Sequence, residues 1–344
     1  MPEGAEARVR AAIEPRREAV NQAFEEALPV VPPERLYRAS RHLLEAGGKR
    51  LRPAMVLLAA EAVADLEPGS EPYEAFPDVD GEPIDVMAGA LSIEIVHLFT
   101  LIHDDIMDQD DLRRGVPSVH RAYDLETAIL AGDTLYSTAF EILLEAGPPA
   151  PRTVRALRLL SRTCTEICEG QAYDVSFEDR TDVETDEYLE MIRLKTAVLF
   201  GAAAAMPAVL LGHDDNAINA LRSYGLKVGQ AFQIQDDVLD LTVPSDELGK
   251  RRGSDLVEHK RTLITVHARQ AGVAVDELLP DGEVTDADID AAVATLEDAG
   301  SIDYARQTAR ELAAEGIADL QALPDTEARS LLEDVGSFLV ERGH

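Results

Sequence analysis

A chain of 344 residues with 46% hydrophobic side chains could form one large domain or two modest ones, and it has enough apolar material for a sizeable core. Asp and Glu number 65 against 32 Lys and Arg, a formal charge of −33, which argues against nucleic acid or an anionic membrane as partner. Lysine is nearly absent: Lys49, Lys195, Lys227, Lys250 and Lys260 are all there are. Such a balance suits a cytoplasm of molar salt, where screening removes the self-repulsion of the acidic surface, so the expected source is a salt-in halophile, an archaeon. Cys164 and Cys168 are the only cysteines and lack partners for a metal site, so free thiols in a reducing cytoplasm are expected. The start "MPEGAEARVR" is charged throughout and offers no apolar signal core, which also points to a cytoplasmic protein.

Nearly every long segment has helical period. "ARVRAAIEPRREAVNQAFEEAL" opens the series, followed by predicted helices at 52–66, 84–108, 123–145, 152–177, 184–211, 215–241, 261–270, 286–298, 301–322 and 325–341. Breakers cluster at 67–83 and 272–288, which read as acidic surface loops, and no alternating strand pattern stands out. The uncharged run Thr196–Gly212 falls short of the ~20 apolar residues a spanning helix needs and contains Pro207, so a buried core helix is expected rather than an integral membrane segment. Neither loop separates two independent cores. The expectation is a single all-α domain over 1–344, a helical bundle.

Within this helical pattern one motif occurs twice. "LIHDDIMD" at 101–108 and "FQIQDDVLD" at 232–240 align Asp104, Asp105 and Asp108 with Asp236, Asp237 and Asp240. A third Asp pair, in "GHDDNAIN" at 212–219, sits among Gly and Asn and reads as a helix N-terminus. In the two true repeats the carboxylates interrupt long apolar helices, with the first and last on one face. Carboxylates so placed repel each other and are costly to desolvate, and a divalent cation relieves both problems. Oxygen ligands without Cys and with few His favour Mg²⁺, completed by water and phosphate oxygens. Basic residues complement them: Lys49, Arg50 and Arg52 in "GGKRLRP", Arg113 and Arg114 in "DLRRGVP", Lys195 in "LKT", and Lys250 and Lys260 in "GKRRGSDLVEHKRT". Four of the five lysines lie in these candidate phosphate-binding segments, which is hard to attribute to solvation alone.

Taken in order, "GGKRLRP", "HDDIMDQDDLRRG", "EGQAYD", "RLKT", "GQAFQIQDDVLD" and "GKRRGSDLVEHKRT" resemble the all-trans isoprenyl diphosphate synthases over about residues 30–270. The resemblance implies antiparallel helices around a deep central cavity, a homodimer, and condensation of isopentenyl diphosphate with allylic diphosphates (dimethylallyl, geranyl, farnesyl). It implies that Asp104, Asp108 and Asp236 bind three Mg²⁺ ions, assisted by Asp105 and Asp240. Arg113, Lys195, Thr196, Gln233, Lys250 and Lys260 would meet the allylic substrate. Lys49, Arg52, His97 and Arg114 would hold the diphosphate of isopentenyl diphosphate. Lys195, Thr196 and Gln233 would act in catalysis, the oxygens of Thr196 and Gln233 facing the carbocation, while Gln171 and Asp174 would orient the basic residues.

A class I terpene cyclase shares the Asp-rich helix but needs one diphosphate substrate, so the second basic set argues against it. A regulatory subunit without activity is expected to lose one Asp cluster, and both are intact. Product length depends on the floor of the cavity. By the resemblance, a bulky residue five positions before the first Asp limits growth to twenty carbons; here this is Phe99, followed by the small Thr100. Geranylgeranyl diphosphate is therefore the expected product, with farnesyl or C25 synthases of the same family as alternatives.

Overall fold

The computed structural model describes residues 3–178, 180–244, 252–280, 282 and 284–341. Its long helices are α1 (Glu3–Ala27), α2 (Glu34–Glu45), α3 (Leu51–Val63), α4 (Val86–Met107), α6 (Leu125–Leu144), α7 (Ala150–Glu178), α9 (Val198–Leu211) and α10 (Asp215–Thr242). Shorter α5 (Val119–Ala122), α8 (Thr185–Ile192), α11 (Ser254–Val257) and α12 (Leu263–Gln270) connect them, and α13 (Asp286–Asp298), α14 (Ser301–Asp319) and α15 (Glu327–Glu341) complete the bundle. The all-α expectation holds. Two ribbons of two residues per strand are the additions: β1 (Phe76–Pro77) with β2 (Pro83–Ile84), and β3 (Leu112–Arg113) with β4 (Val116–Pro117). The pattern reading also left out α2, whose Ala39, Leu43 and Leu44 are buried.

Several helices begin where a short polar side chain satisfies a free backbone N–H. Asp85 accepts from Ala88 N at 2.8 Å, Asp124 from Thr127 N at 2.6 Å, and Asp214 from Ala217 N at 2.9 Å. The third Asp pair of the sequence is thus a helix start. Gly212, at φ +85°, ends α9 in the left-handed conformation that favours glycine.

The core is built around α4 and α9. Helix α4 packs on α3, α6 and α9, while α9 also contacts α3, α7 and α10. Both α4 and the α8–α9 run are long and apolar enough to cross a membrane, yet 78% and 94% of their most apolar windows are buried inside the protein. They are the bundle's central helices. Helix α10 joins two apolar clusters: Leu221, Tyr224 and Val228 belong to the large one, and Ala231, Ile234, Val238 and Leu241 to a second one shared with α12, α13 and α14. The Asp repeats thereby lie on two core helices, at the C-terminal ends of α4 and α10.

One core run changes winding. Between α8 and α9, residues Arg193–Ala197 form a turn of π-helix, which carries Lys195 and Thr196. Two glycines permit close packing there. A Cβ on Gly170 of α7 would lie 2.2 Å from Lys195 N, and one on Gly229 of α10 would lie 2.8 Å from Ala197 Cα. Single π-turns of this kind are frequent at functional sites.

Candidate active site

The basic pocket is built from the α2–α3 turn and the β3–β4 ribbon. Arg114 and Gly115 occupy its turn with φ of +55° and +77°, the left-handed pair a tight two-residue hairpin requires. This aims Arg114 back at the glycine turn, where its Nη1 donates to the Leu43 carbonyl at 2.9 Å and to the Gly47 carbonyl. Gly48 is needed for that approach, since a Cβ would come within 2.9 Å of Arg114 Nη1. Arg50, grouped by sequence with the phosphate-binding cations, is instead a buried strut. Its guanidinium bonds Glu94 Oε1 at 2.9 Å, the Leu44 carbonyl at 2.9 Å and Asn21 at 3.1 Å.

Arg52 lies beside this strut, 4.3 Å above the ring of Phe200, and its Nη1 donates to His97 Nε2 at 3.2 Å. His97 therefore carries its proton on Nδ1. Burial, together with Arg52, Arg114, Arg50 and Arg113, holds the imidazole well below the usual histidine range, so it is neutral at pH 7. Burial and the neighbouring Arg114 lower Arg52 to about 10 against the pull of Glu94. The Nε of Arg52 is buried without a protein partner. Cations crowded at this cost, with Lys49 exposed on the same turn, are suited to a polyanion.

About two turns beyond His97 along α4 lie the carboxylates. Asp104 is partly buried and Asp108, which caps the helix, is exposed. Burial pushes the Asp104 carboxyl up to about 6; Lys195 opposes the shift and Asp108 adds to it. Lys195 Nζ bonds Asp174, and although burial works against its charge, Asp174, Asp104 and Asp108 hold the ammonium above the usual lysine value. Asp174 thus does orient Lys195. Gln171 orients nothing among the described residues: it is buried, and both its amide atoms lack protein partners. Lys260 is paired with Glu258 at 2.8 Å and lies close enough to influence Asp108. Lys250 lies outside the described residues.

The second repeat lies on α10. Asp236 is exposed. Gln233 Oε1 accepts from the Thr196 hydroxyl at 3.0 Å, and its Nε2 donates to Asp237 Oδ1 at 3.0 Å. Asp237 also accepts from the buried Tyr188 hydroxyl. Burial and Asp255 push Asp237 well above the carboxylate range, against the bonds from Tyr188 and Gln233.

Two expected metal ligands are engaged elsewhere. Asp105 is fully buried and bonds Arg113 Nε at 2.6 Å, while Arg113 also reaches Asp110 at 2.7 Å. Asp240 is fully buried too, accepting from Ser254 Oγ at 2.8 Å and Asp255 N at 3.2 Å. Their carboxylates hold Arg113 and the start of α11 rather than pointing outward. Sequence reasoning did not single out Tyr188, Glu94, Asp110 or Ser254. A helical reading could have found Tyr188, seven residues before Lys195 and so on nearly the same face.

Among the described residues, no cluster of three Asp, Glu, His or Cys side chains is arranged to hold a metal ion by itself. Asp104, Asp108 and Asp236 nevertheless fit magnesium: they are hard oxygen donors, and this ion takes one or two carboxylates and completes its shell with water and substrate phosphate. Beneath them Phe99 is 7% exposed, its ring edge-on to Tyr136 at 5.3 Å and to His103 at 5.9 Å, with Phe140 next to Tyr136 at 5.3 Å.

This pairing of a basic pocket with an acidic one along a single helix has counterparts. The family model for polyprenyl synthetases matches residues 33–296. The chain belongs to the polyprenyl synthetase family. It is 64% identical to the geranylfarnesyl diphosphate synthase of Natronomonas pharaonis over 98% of each chain, and 47% identical to the geranylgeranyl diphosphate synthase of Methanosarcina mazei over 96% of this chain and 97% of that one. The solved geranylgeranyl pyrophosphate synthetase of Geoglobus acetivorans superposes with a TM-score of 0.85 at 44% identity, covering 96% of this chain and 99% of its own. The polyprenyl synthetase found here is accordingly a trans-prenyltransferase of isoprenoid-synthase fold.

Proposed function

We propose that this prenyltransferase elongates allylic diphosphates with isopentenyl diphosphate and releases geranylgeranyl diphosphate. The observation that carries the reading is two neighbouring clusters of opposite make-up along α4: cations without an outward carboxylate around His97, and outward carboxylates with Lys195 and Arg113 around Asp104. Lys49, Arg52, His97 and Arg114 hold isopentenyl diphosphate. Arg113, Lys195 and Lys260 neutralise the allylic diphosphate; Lys250 is assigned with them on the family resemblance alone. Magnesium, when bound by Asp104, Asp108 and Asp236, would neutralise the diphosphate as it leaves.

The allylic C–O bond breaks, and the π electrons of isopentenyl diphosphate form the new C–C bond at the vacated carbon. A proton is then lost from the adjacent carbon to the departing diphosphate. Thr196 and Gln233 present oxygen atoms towards the cation, and apolar walls exclude the water that would quench it. Asp105 and Asp240 act one step back, through Arg113 and the 253–255 turn.

The floor sets the product. Phe99 lies five residues before Asp104, ~7.5 Å along the helix axis, and the edge-to-face contact with Tyr136 braces its ring. A second reading, geranylfarnesyl diphosphate, is favoured by the name of the Natronomonas relative. Incubation with isopentenyl diphosphate, farnesyl diphosphate and Mg²⁺, followed by chromatography of the prenyl products, decides between them. Phe99→Ser should lengthen the product beyond that of the wild type; an unchanged distribution in an active variant would place the floor elsewhere.

A homodimer is supported by an uncovered apolar face on α6, where Leu125, Ile129, Leu130, Tyr136 and Leu144 are exposed. Residence in a salt-rich cytoplasm is supported by the charge of −33. Melting temperature should rise between low and molar KCl, and a flat response would remove that assignment.

A further inference from the structure

A buried polar network behind Thr196 and Gln233 joins four side chains from three elements. Tyr188 on α8 is 2% exposed and donates its hydroxyl to Asp237, itself 5% exposed. Gln233, one turn earlier on α10, donates Nε2 to the other oxygen of the same carboxylate at 3.0 Å. Its Oε1 in turn accepts from the Thr196 hydroxyl on the π-turn at 3.0 Å.

Direction matters in this chain of bonds. A primary amide offers a donor at one end and an acceptor at the other, and a threonine hydroxyl can pair with either. Thr196 alone therefore leaves Gln233 free to flip. A carboxyl group that already accepts from Tyr188 on Oδ2 and from Gln233 on Oδ1 selects one orientation: the amide nitrogen faces Asp237 and its oxygen faces Thr196. The Thr196 proton is then turned to Gln233, leaving that hydroxyl's lone pairs for the reaction cavity. That arrangement suits a developing cation, whereas the flipped amide would present N–H donors and turn the Thr196 proton outward.

From this geometry we propose that Tyr188 is a positioning residue for catalysis, acting through Asp237 to fix the amide of Gln233 and the hydroxyl of Thr196. The proposal rests on the reading above that those two oxygens face the cation. Asp237 has two oxygens, and the hydroxyl on Oδ2 fixes the carboxylate plane so that Oδ1 addresses Gln233. Remove the hydroxyl and the carboxylate is held at one oxygen only, free to turn away. The middle Asp of the second repeat is thereby a support for the amide, not an outward ligand. Tyr188 contributes no atom to the cavity itself.

The test is a double-mutant cycle. Tyr188→Phe keeps the buried ring and removes only the hydroxyl. Its expected effect is a fall in kcat of about tenfold to a hundredfold, with KM for isopentenyl and allylic diphosphates within about twofold of wild type. In a Gln233→Leu background the same change should cost nothing further, because the group it positions is gone. A wild-type kcat for Tyr188→Phe, a loss confined to KM, or an equal loss with and without Gln233 would each overturn the proposal. If Gln233→Leu alone retains full kcat, the assignment of Gln233 fails instead, and the inference with it. Should Tyr188→Phe not fold, Asp237→Asn, which keeps the volume but offers Gln233 an ambiguous partner, is read in the same cycle against the same outcomes.

Discussion

The two Asp repeats align residue for residue, yet their side chains do different work. In both, the first Asp keeps solvent access, Asp104 partly buried and Asp236 exposed, and the middle Asp (Asp105, Asp237) is turned into the protein. The middle positions find different donors: Asp105 is paired with a guanidinium, Asp237 with a phenol and an amide. The last positions diverge completely. Asp108 ends α4 in solvent, whereas Asp240 is fully buried and ties the 253–255 turn to α10. A shared motif therefore sets which helix face carries charge, while the neighbouring elements decide whether each carboxylate faces a ligand or braces the protein.

The largest test of the common part is removal of the first Asp of each repeat. Asp104→Ala and Asp236→Ala should each lower kcat by about three orders of magnitude or more, since activation of the leaving group is worth several kcal/mol and each 1.36 kcal/mol is tenfold. Circular dichroism should be unchanged in both. A rate close to wild type in either variant would break the equivalence and remove that carboxylate from the metal set.

The last positions sharpen the contrast. Asp108→Asn should leave the melting temperature alone and raise the Mg²⁺ concentration needed for half-maximal rate about tenfold or more, because it removes an exposed anion and no internal bond. Asp240→Asn should do the opposite. Asn keeps one acceptor oxygen, so either Ser254 or the Asp255 N–H loses its partner, which costs ~1–3 kcal/mol and should lower the melting temperature by a few degrees, with the Mg²⁺ requirement little changed. Identical Mg²⁺ titrations for the two variants would show that burial does not separate their roles.

Much of this was legible in the sequence. Long apolar runs with helical spacing marked α4, α9 and α10, because a core helix displays its burial in composition. The repeats were legible for the converse reason: carboxylates inside such runs are costly enough to need a purpose. What the pattern did not reveal depends on contacts between distant elements. Arg50 and Arg52 are two residues apart in one basic run, but only the first meets a buried carboxylate, Glu94. The π-turn at Arg193–Ala197 coincides with the close approach of Gly170 and Gly229, and nothing in "RLKTA" announces it. Helix α2 was missed although its Ala39, Leu43 and Leu44 are buried, because it is only twelve residues long and its other residues are mostly polar or charged. Periodicity speaks for one helix at a time. The partners of Asp105, Asp237 and Asp240 belong to the assembled bundle.

The smallest expected effect concerns stability without metal, where the first Asp of each repeat should again differ. Asp104 is partly buried, and burial pushes its carboxyl up to about 6 from an ordinary value of 3.8. Below about pH 4 it is protonated in both folded and unfolded chains and contributes nothing to the pH dependence. Between about pH 4 and 6 the unfolded chain ionises while the folded one resists, so the contribution of Asp104 to stability falls as pH rises, and above 6 the cost is constant. Asp104→Asn is neutral throughout. In EDTA it should match wild type near pH 4 and melt a few degrees higher at pH 7, the shift corresponding to ~2–3 kcal/mol at most. Asp236→Asn alters an exposed and hydrated group and should leave the melting temperature in EDTA little changed. Mg²⁺ with inorganic pyrophosphate should then reverse the order, because a ligand that binds only the folded wild type stabilises it by mass action. If Asp104→Asn were no more stable than wild type at pH 7 in EDTA, Asp104 would be as well solvated as Asp236, and the difference between the two positions would be one of sequence only.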